Sequence, residues 1–324
     1  MTETSTTLKE YEADLLVTAV DRAAEDVVVL TLAHPDGQTL PAWTPGAHVD
    51  LVLTDNLTRQ YSLCSSPSDS RSLQVGVLRA EASRGGSVFI HDNLAVGSSV
   101  RVRGPRNHFP LVSSPKYLFI AGGIGVTPML PMIEEAEAVG ADWRLVYGGR
   151  SRASMAFLAA LGQYGDKVLL LPRDEVELTL SKRIVELLGT PATDTLVYTC
   201  GPEPLLEAVE DACKAWPEGA LHLERFQGKE LDESQDTEFE LVLARSGQTL
   251  TVPPGKSIFH AVEELGIPVL GSCHEGVCGT CETEIIEGEV DHRDVVLSDS
   301  EKASNETMMV CVSRCRGNRL VIDL

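Results

Sequence analysis

The chain has 324 residues, of which 43% are hydrophobic and 23% are charged, which is the composition of an ordinary soluble globular protein. This length predicts two or three domains. The formal net charge of −21 argues against nucleic acid and anionic membranes as partners and favours a cationic protein partner. No run approaches the roughly 18 apolar residues that a membrane-spanning helix needs.

The N-terminal sequence MTETSTTLKEYEADLL has neither the apolar core of a signal peptide nor an arginine-rich transit pattern. We therefore expect a cytoplasmic protein, and we expect it to be a monomer. Such a chain has little use for disulfides. Of its eight cysteines, four are clustered at ligand spacing, and the others are expected to be thiols in or near packed elements: Cys64, Cys200, Cys213 and Cys315.

Residues 1–113 are predicted to form an antiparallel β-barrel. Short runs rich in β-branched residues alternate with Gly, Pro, Asp and Asn, which is typical of such barrels. One helical piece, Ser87 to Asn93, interrupts the strands. The runs are DLLVTAV, VVVLTLA, AHVDLVL, RQYSLCS, LQVGVLR and SVRVRG.

Residues 114–226 alternate strand and helix, which predicts an α/β domain with a parallel sheet covered on both faces. The predicted strands are YLFIAGG, WRLVYGG, KVLLL, TLVYTC and ALHLERF. The predicted helices are TPMLPMIEEAEAVG, ASMAFLAALGQYG, SKRIVELLG and PEPLLEAVEDACKAW.

Residues 227–238, QGKELDESQDTE, are polar and acidic, and we interpret them as a linker. Residues 239–324 are predicted to form a small α+β unit. A hairpin (FELVLA, TLTVP) leads to one helix (SIFHAVEELG) and three further strands (TEIIEG, MMVCVS, LVIDL). The span 229–324 is notably acidic, with 19 Asp and Glu against 8 Lys and Arg.

The most specific motif is CHEGVCGTC. Cys273, Cys278 and Cys281 follow C-x4-C-x2-C spacing, and Cys311 comes after 29 intervening residues. This is the spacing of a plant-type [2Fe–2S] cluster, and nearby glycines allow the chain to wrap closely around it. A zinc site is the alternative, but zinc sites favour paired C-x2-C units, and this loop has one.

Two segments of the α/β domain predict a dinucleotide crevice. AGGIGVTP (Ala121–Pro128) and TCGPEP (Thr199–Pro204) each close a strand and open a helix. Glycines there let a pyrophosphate approach the backbone and the positive helix end. The pattern is not the GxGxxG fingerprint, and GGIG alone could be a simple tight turn.

In the barrel, SRGGS (Ser83–Ser87) is a glycine-rich turn before a short helix, with an arginine beside it. That arrangement predicts a cradle for a single phosphate. RQYSL (Arg59–Leu63) by itself reads as an ordinary barrel strand, and becomes informative only together with this loop.

Taken together, and in this order, these motifs resemble the phthalate dioxygenase reductase family, which includes vanillate O-demethylase reductases. The resemblance runs from about Leu15 to Leu324. It is carried by RQYSLCSSP, SRGGSVFIHD, GPRNHFPL, AGGIGVTPML, CGPEPLLEAV, LHLERF, SCHEGVCGTC, DHRDVVLSDSEK and MVCVSR. It implies an FMN-binding barrel, an NAD(P)-binding domain and a β-grasp-like ferredoxin domain.

The resemblance also implies roles for individual residues. Those that would line FMN are Arg59, Tyr61, Ser62 and Leu63, and those that would hold its phosphate are Arg84, Gly85, Gly86 and Ser87. Those that would face the nicotinamide nucleotide are Gly122, Gly123, Gly125, Thr127, Cys200, Gly201 and Pro202. Phe226 would cover the flavin. The cluster ligands would be Cys273, Cys278, Cys281 and Cys311, whereas Cys315 would be a bystander thiol.

The choice between NADH and NADPH depends on LLLPRDEV, where relatives selective for NADH often carry an acidic residue. Asp174 could bond the ribose 2′-OH of NADH, whereas Arg173 could accept a 2′-phosphate. We favour NADH, although Arg150 and Arg152 nearby could also favour a phosphate. The RGGS pattern resembles the FMN subgroup rather than the FAD-binding relatives, which need an adenine-contacting element.

The implied function is the reductase component of a Rieske-type aromatic oxygenase or O-demethylase. Electrons would pass from NADH through FMN to the [2Fe–2S] cluster and on to a terminal oxygenase. No catalytic triad or carboxylate pair is evident, and hydride transfer needs none, since the flavin carries that chemistry. Two alternatives stay open: a reductase for a cytochrome P450 or another monooxygenase, and a redox-sensing protein.

Overall fold

The computed structural model describes residues 10–80, 85–229 and 231–324. The chain divides into two compact units, one ending at Glu224 and the other spanning Arg225–Leu324. Among the described residues, none of the helices has the length and apolar character that crossing a membrane would require.

The first unit contains a six-stranded antiparallel sheet in the order β4-β3-β6-β1-β2-β5. A bridge between Leu63 and Val75 joins the two ends of that order and closes the sheet on itself. The predicted antiparallel sheet is confirmed. Its strands are β1 Glu12–Ala24, β2 Val27–Ala33, β3 His48–Thr54, β4 Leu57–Ser62, β5 Ser72–Leu78 and β6 Ser99–Arg106, with helix α1 (Gly86–Asn93) between β5 and β6.

Apolar side chains from opposite strands fill the inside of this sheet. Leu30 and Leu32 of β2 and Leu51 of β3 are fully buried in one core. Burying a side chain of this size contributes about 1.5–3 kcal/mol relative to leaving it in water. The β-branched residues between them suit the pleated backbone.

The same unit holds a five-stranded parallel sheet in the order β11-β10-β7-β8-β9. Its strands are β7 Lys116–Gly122, β8 Asp142–Gly149, β9 Val168–Pro172, β10 Thr195–Cys200 and β11 Leu221–Glu224. The helices are α2 Met129–Ala138, α3 Leu158–Leu161, α4 Leu180–Leu188 and α5 Glu203–Cys213. They build two separate cores, one with α2 and the other with α4 and α5, so both faces of the sheet are covered as predicted.

The strand order reverses between β7 and β10. From β7 the chain proceeds to β8 and β9 on one side, and then returns to place β10 and β11 on the other. Sheets of this kind bind ligands in the crevice at the carboxyl ends of the strands where the order reverses. We therefore expect the ligand site at the loops that follow Gly122 and Cys200.

The helix predicted for ASMAFLAALGQYG is shorter than expected. Only Leu158–Leu161 is α-helical, and it lies between two 3₁₀ turns. Phe157, which directly precedes this helical turn, has a φ of 64° and Gly165 has a φ of 53°, so neither residue can continue a right-handed helix. A Cβ on Gly76 would lie 3.3 Å from the Phe157 ring. Packing of this ring against β5 therefore outweighs the helical propensity of the segment.

The second unit is an α+β fold, as predicted. Its main sheet has the order β13-β12-β18-β14-β16. The strands are β12 Phe239–Leu243, β13 Gln248–Val252, β14 Glu282–Glu287, β15 Val290–Asp291, β16 Thr307–Met309, β17 Arg314–Cys315 and β18 Arg319–Ile322. Helix α6 (Ile258–Glu263) packs on this sheet through four buried residues, whereas the short helix α7 (Asp299–Ser304) buries none.

The strand predicted for MMVCVS ends early. Only Thr307–Met309 pairs with β14, and the chain then turns, with Val312 N–H and Ser313 N–H both donating to Met309 O. This turn carries Cys311. The departure from extended structure thus coincides with a predicted cluster ligand.

The segment interpreted as a linker ends in an ordered contact within the second unit. The Asp236 carboxylate is almost fully buried, where it pairs with Arg293 Nη2 at 2.7 Å and Arg314 Nε at 3.3 Å. Arg314 Nη2 also donates to the backbone oxygens of Thr237 and Pro253. Residues 236–237 are therefore fixed to the α+β fold, while the predicted boundaries of linker and domains remain predictions.

Candidate functional site

The four predicted cluster ligands come together in the second unit. Cys273, Cys278, Cys281 and Cys311 are all buried, with at most 7% of each residue exposed. Cys273 lies in hydrogen-bond contact with both Cys278 and Cys311, and Cys311 also contacts Cys281. The thiols thus form contacting pairs, which fits two irons that each need two thiolates.

Glycine residues let the loop close around these sulfurs. Gly276 has a φ of 67°, and a Cβ there would lie 2.6 Å from the Val312 side chain and 3.0 Å from Asp294 Cα. Gly279 has a φ of 70°. Any other residue would strain the backbone at both positions, and at Gly276 it would also push the loop away from the segments behind it.

Hydrogen bonds to sulfur are also in place. Glu275 N–H donates to Cys273 Sγ at 3.3 Å, and the Thr280 hydroxyl lies 3.2 Å from Cys278 Sγ. Hydrogen bonds among the thiols lower the pKa of Cys273 and raise the pKa values of Cys278 and Cys311. Thiolates are the form that binds iron, and N–H and O–H hydrogen bonds to sulfur tune the cluster potential. These residues fit a [2Fe–2S] cluster.

The two predicted nucleotide loops meet at the crevice of the first unit. In the register of β7 and β10, Ala121 is opposite Cys200. Just beyond, a Cβ on Gly201 would lie 3.0 Å from Gly122 Cα, and one on Gly125 would lie 2.4 Å from Cys200 O. The glycines let the loops touch, and they leave backbone N–H groups at the helix starts for a phosphate.

The remaining nucleotide candidates lie at the same edge. Thr127 is buried, and its hydroxyl donates to Ile124 O at 2.9 Å. Pro202 is the extended residue directly before helix α5, and its fixed φ of −65° suits the entry into the helix. Gly123, with a φ of 56°, helps to line a cavity of about 60 Å³ together with Tyr147 and Arg150. The structure therefore brings the predicted nucleotide residues of both loops together.

Asp174 and Arg173 follow strand β9, and both are exposed. Their backbone N–H groups donate to Gly149 O (from Arg173, 2.9 Å) and Arg150 O (from Asp174, 3.3 Å). This places both candidates for the ribose 2′ position next to the end of β8. Arg152 is paired with Glu175 at 2.8 Å.

The predicted phosphate cradle is described only in part. Arg84 and Ser83 lie outside the described residues. Gly85 has a φ of 92° and precedes helix α1, and a Cβ on Gly86 would lie 2.4 Å from Arg59 Cγ. The RQYSL strand and the glycine loop are therefore in contact, which fits a shared ligand.

Not every side chain of the flavin candidates can face a ligand. Leu63 is fully buried in the barrel core, so only its backbone is available. Tyr61 is partly buried, and the Ser87 hydroxyl accepts a hydrogen bond from Ala80 N–H at 3.1 Å. Phe226 is 38% exposed and belongs to the second unit, so its place over the flavin remains a prediction.

One site residue was missed by the sequence analysis. Glu224 ends strand β11, and its Oε2 accepts a hydrogen bond from Ser62 Oγ at 3.5 Å. Burial raises the pKa of this carboxyl to about 8, against a smaller lowering by the serine. Burial also raises the pKa of Cys200, and nearby Glu224 raises it further. A charged residue at the carboxyl end of a parallel strand was the signal that could have revealed it.

The second unit carries a match to the 2Fe-2S iron-sulfur cluster binding domain over residues 241–316. Over nearly its whole length the chain is also similar to reductases. A toluene-4-sulfonate monooxygenase system reductase subunit of Comamonas testosteroni is 41% identical, covering 97% of this chain and 99% of its own. The solved structure of phthalate dioxygenase reductase, described as a modular structure for electron transfer from pyridine nucleotides to [2Fe-2S], is 32% identical with a TM-score of 0.69, and the match covers 98% of both chains.

The chain belongs to the phthalate dioxygenase reductase family. This reductase is an electron-transfer oxidoreductase of an oxygenase system, as the sequence predicted, and it uses a flavin, a [2Fe–2S] cluster and nicotinamide nucleotide.

A third similarity concerns a longer protein. An intact type IV self-sufficient cytochrome P450 monooxygenase is 42% identical with a TM-score of 0.90, covering 97% of this reductase. The match spans only 41% of that chain.

Proposed function

We propose that this reductase supplies electrons from NADH to the terminal component of a Rieske-type aromatic oxygenase or O-demethylase. The observation that carries the proposal is the convergence of four buried thiols in one unit of the chain. The other unit holds the crevice at which the loops of Gly122 and Gly201 meet. One protein then binds the electron donor and also carries the cluster that releases electrons one at a time. Relatives that match over nearly their full length are named as reductase subunits of monooxygenases.

We further propose FMN as the flavin, with its phosphate at the start of helix α1. The contact between Gly86 and Arg59 supports this, because it joins the phosphate loop to the strand that would face the ring. When bound, the flavin accepts a hydride and passes electrons on singly. The protein supplies binding and orientation.

Within this proposal, Ser62, Cys200 and Glu224 position the nicotinamide against the flavin. Cys200 lies at the point where β7 and β10 separate, and Ser62 with Glu224 links the barrel to the sheet beside it. With a pKa of about 8, Glu224 is protonated in most molecules at neutral pH. It therefore holds a proton at Oε1 or Oε2 without placing a negative charge beside the ring.

NADH is the proposed donor because Asp174 lies beside the end of β8, where a carboxylate can bond a ribose hydroxyl. Arg173 follows the same strand and would favour NADPH if it paired with the 2′-phosphate. A cytoplasmic location, where the cell supplies reduced nicotinamide nucleotide, is part of the proposal.

A second candidate acceptor is a cytochrome P450. It is favoured by one observation, the 42% identity to a portion of a self-sufficient cytochrome P450 monooxygenase that makes up 41% of that chain.

Reconstitution separates the candidates. The purified reductase is mixed with NADH and, in parallel, with the oxygenase component of the phthalate or toluene-4-sulfonate system or with a bacterial P450. We expect substrate-coupled NADH oxidation with an oxygenase component, and extraction should yield FMN. Coupling with the P450 alone would favour the second candidate. Flavin and cluster that are reduced by NADH only over minutes would indicate a redox sensor instead.

A further inference from the structure

The cluster loop reaches solvent at one residue. Between Cys273 and Cys281, His274 is exposed, while every other residue is buried or partly buried. On the other side of the cluster site, Val310 and Val312 flank Cys311 and are both buried. His274 also has a φ of 57°, a left-handed conformation that few non-glycine residues adopt. The side of the loop that bears His274 is therefore its open side.

An apolar side chain stands next to this opening. Leu270 is 74% exposed, more than any other large hydrophobic residue in the described chain. The backbone after it passes directly over the Phe259 ring, since a Cβ on Gly271 would lie 2.3 Å from that ring.

His274 contacts the same ring. Its imidazole packs edge-on against Phe259 at 4.6 Å and stacks on His260 at 5.8 Å. Leu270, His274 and His260 therefore form one exposed surface above buried Phe259, which we call the Leu270 face.

The surroundings of the Leu270 face are acidic. Glu263 ends helix α6 and Glu264 follows it, both residues are exposed, and Glu263 acts electrostatically on His274. Glu264 is paired with Lys256, whereas no ion pair of Glu263 is found among the described residues. An apolar centre with an acidic edge suits a partner that offers an apolar recess edged by Lys and Arg.

We propose that the Leu270 face is the surface on which the terminal oxygenase component docks to receive electrons from the cluster. This inference rests on the proposed function and adds where the partner binds. Docking removes Leu270 from water at the centre of the contact, where single side chains contribute most to affinity. The acidic edge then steers the partner.

The test uses two variants and a matched control. Leu270→Asp places a charge on the face, and Leu270→Ala shortens the side chain without adding one. Ile286→Ala is the control, because Ile286 is 54% exposed on β14. Each holoprotein is assayed with NADH and the phthalate or toluene-4-sulfonate oxygenase component that the wild type reduces.

For Leu270→Asp we expect the KM for the oxygenase component to rise at least about tenfold, with a smaller rise for Leu270→Ala. The control variant, the cluster absorption spectrum and ferricyanide reduction should match the wild type. An unchanged KM in both Leu270 variants overturns the proposal. So does a slower transfer from flavin to cluster in stopped flow, because the face would then serve electron entry. If the wild type reduces no oxygenase component, the proposed function itself fails and the face loses its assigned partner.

Discussion

Ser62 Oγ lies 3.5 Å from Glu224 Oε2, although the two residues are 162 positions apart. Ser62 ends a barrel strand, and Glu224 ends the edge strand of the parallel sheet. The hydrogen bond therefore joins the predicted flavin strand to the nucleotide crevice. Because Glu224 is largely neutral near pH 7, this junction brings little negative charge to the place where a hydride would be transferred.

Glu224→Ala should slow reduction of the flavin by NADH, because it removes the carboxyl that accepts the hydrogen bond of Ser62. We expect the stopped-flow rate of flavin bleaching to fall at least roughly tenfold, since small errors in position are costly at a reacting centre. Glu224→Gln, which is neutral like the protonated acid, should stay close to the wild type. Flavin content should stay that of the wild type. An unaltered rate in Glu224→Ala at every pH would remove Glu224 from the site.

The same carboxyl predicts a pH dependence of stability. Its pKa rises from 4.5 to about 8 on folding, so between these values the folded state binds more protons than the unfolded state. The contribution of Glu224 is therefore fully present below pH 4.5 and is lost as pH rises to about 8. The Tm of the wild type relative to Glu224→Gln should fall across this window. A constant Tm difference from pH 5 to pH 8 would show that folding does not raise the pKa of the Glu224 carboxyl.

Gly125→Ala should weaken nucleotide binding. The added Cβ would lie 2.4 Å from Cys200 O, so the ends of β7 and β10 must separate. We expect the KM for NADH to rise several-fold. Gly162→Ala is the control, because a Cβ there meets nothing within 4 Å and its φ is not positive. Equal KM values for the two variants would argue against close contact at the crevice.

Gly276→Ala should reduce the content of the iron-sulfur cluster. Its Cβ would lie 2.6 Å from Val312, next to Cys311, and would push the loop outward. Gly266→Ala is a matched control, because its φ of 73° carries the same backbone cost while its Cβ meets nothing within 4 Å. Iron and sulfide analysis should show loss in Gly276→Ala alone. Similar losses in both variants would trace the effect to backbone strain.

The nucleotide preference is tested at the end of β9. The wild type should have a higher kcat/KM for NADH than for NADPH, and Asp174→Ala should narrow the ratio by removing the acceptor for the ribose hydroxyl. A wild-type preference for NADPH would instead assign the position to Arg173.

Features that depend on local pattern could be predicted from the sequence. The strands and the cluster cysteines are of this kind, because alternation and ligand spacing are encoded over a few residues. The pairing of Ser62 with Glu224 could not be predicted, since it depends on how the barrel packs against the parallel sheet. The broken helix near Phe157 has the same origin, because contact with β5 decides its backbone conformation. The buried ion pairs of Asp236 could not be predicted either, because its two arginine partners lie more than 50 residues away in the sequence. Local composition alone indicated a linker.

The central claim is that electrons pass from NADH through the flavin to the cluster and only then to the oxygenase. Cys311→Ser tests it most directly, because the variant loses a predicted cluster ligand while the predicted flavin residues other than Phe226 lie in the other unit. Anaerobic stopped flow should show flavin reduction by NADH at the wild-type rate, and ferricyanide should still be reduced. Electron delivery to an oxygenase component should collapse, whereas Cys315→Ser should behave as the wild type. Oxygenase turnover that survives complete loss of the cluster would contradict the account.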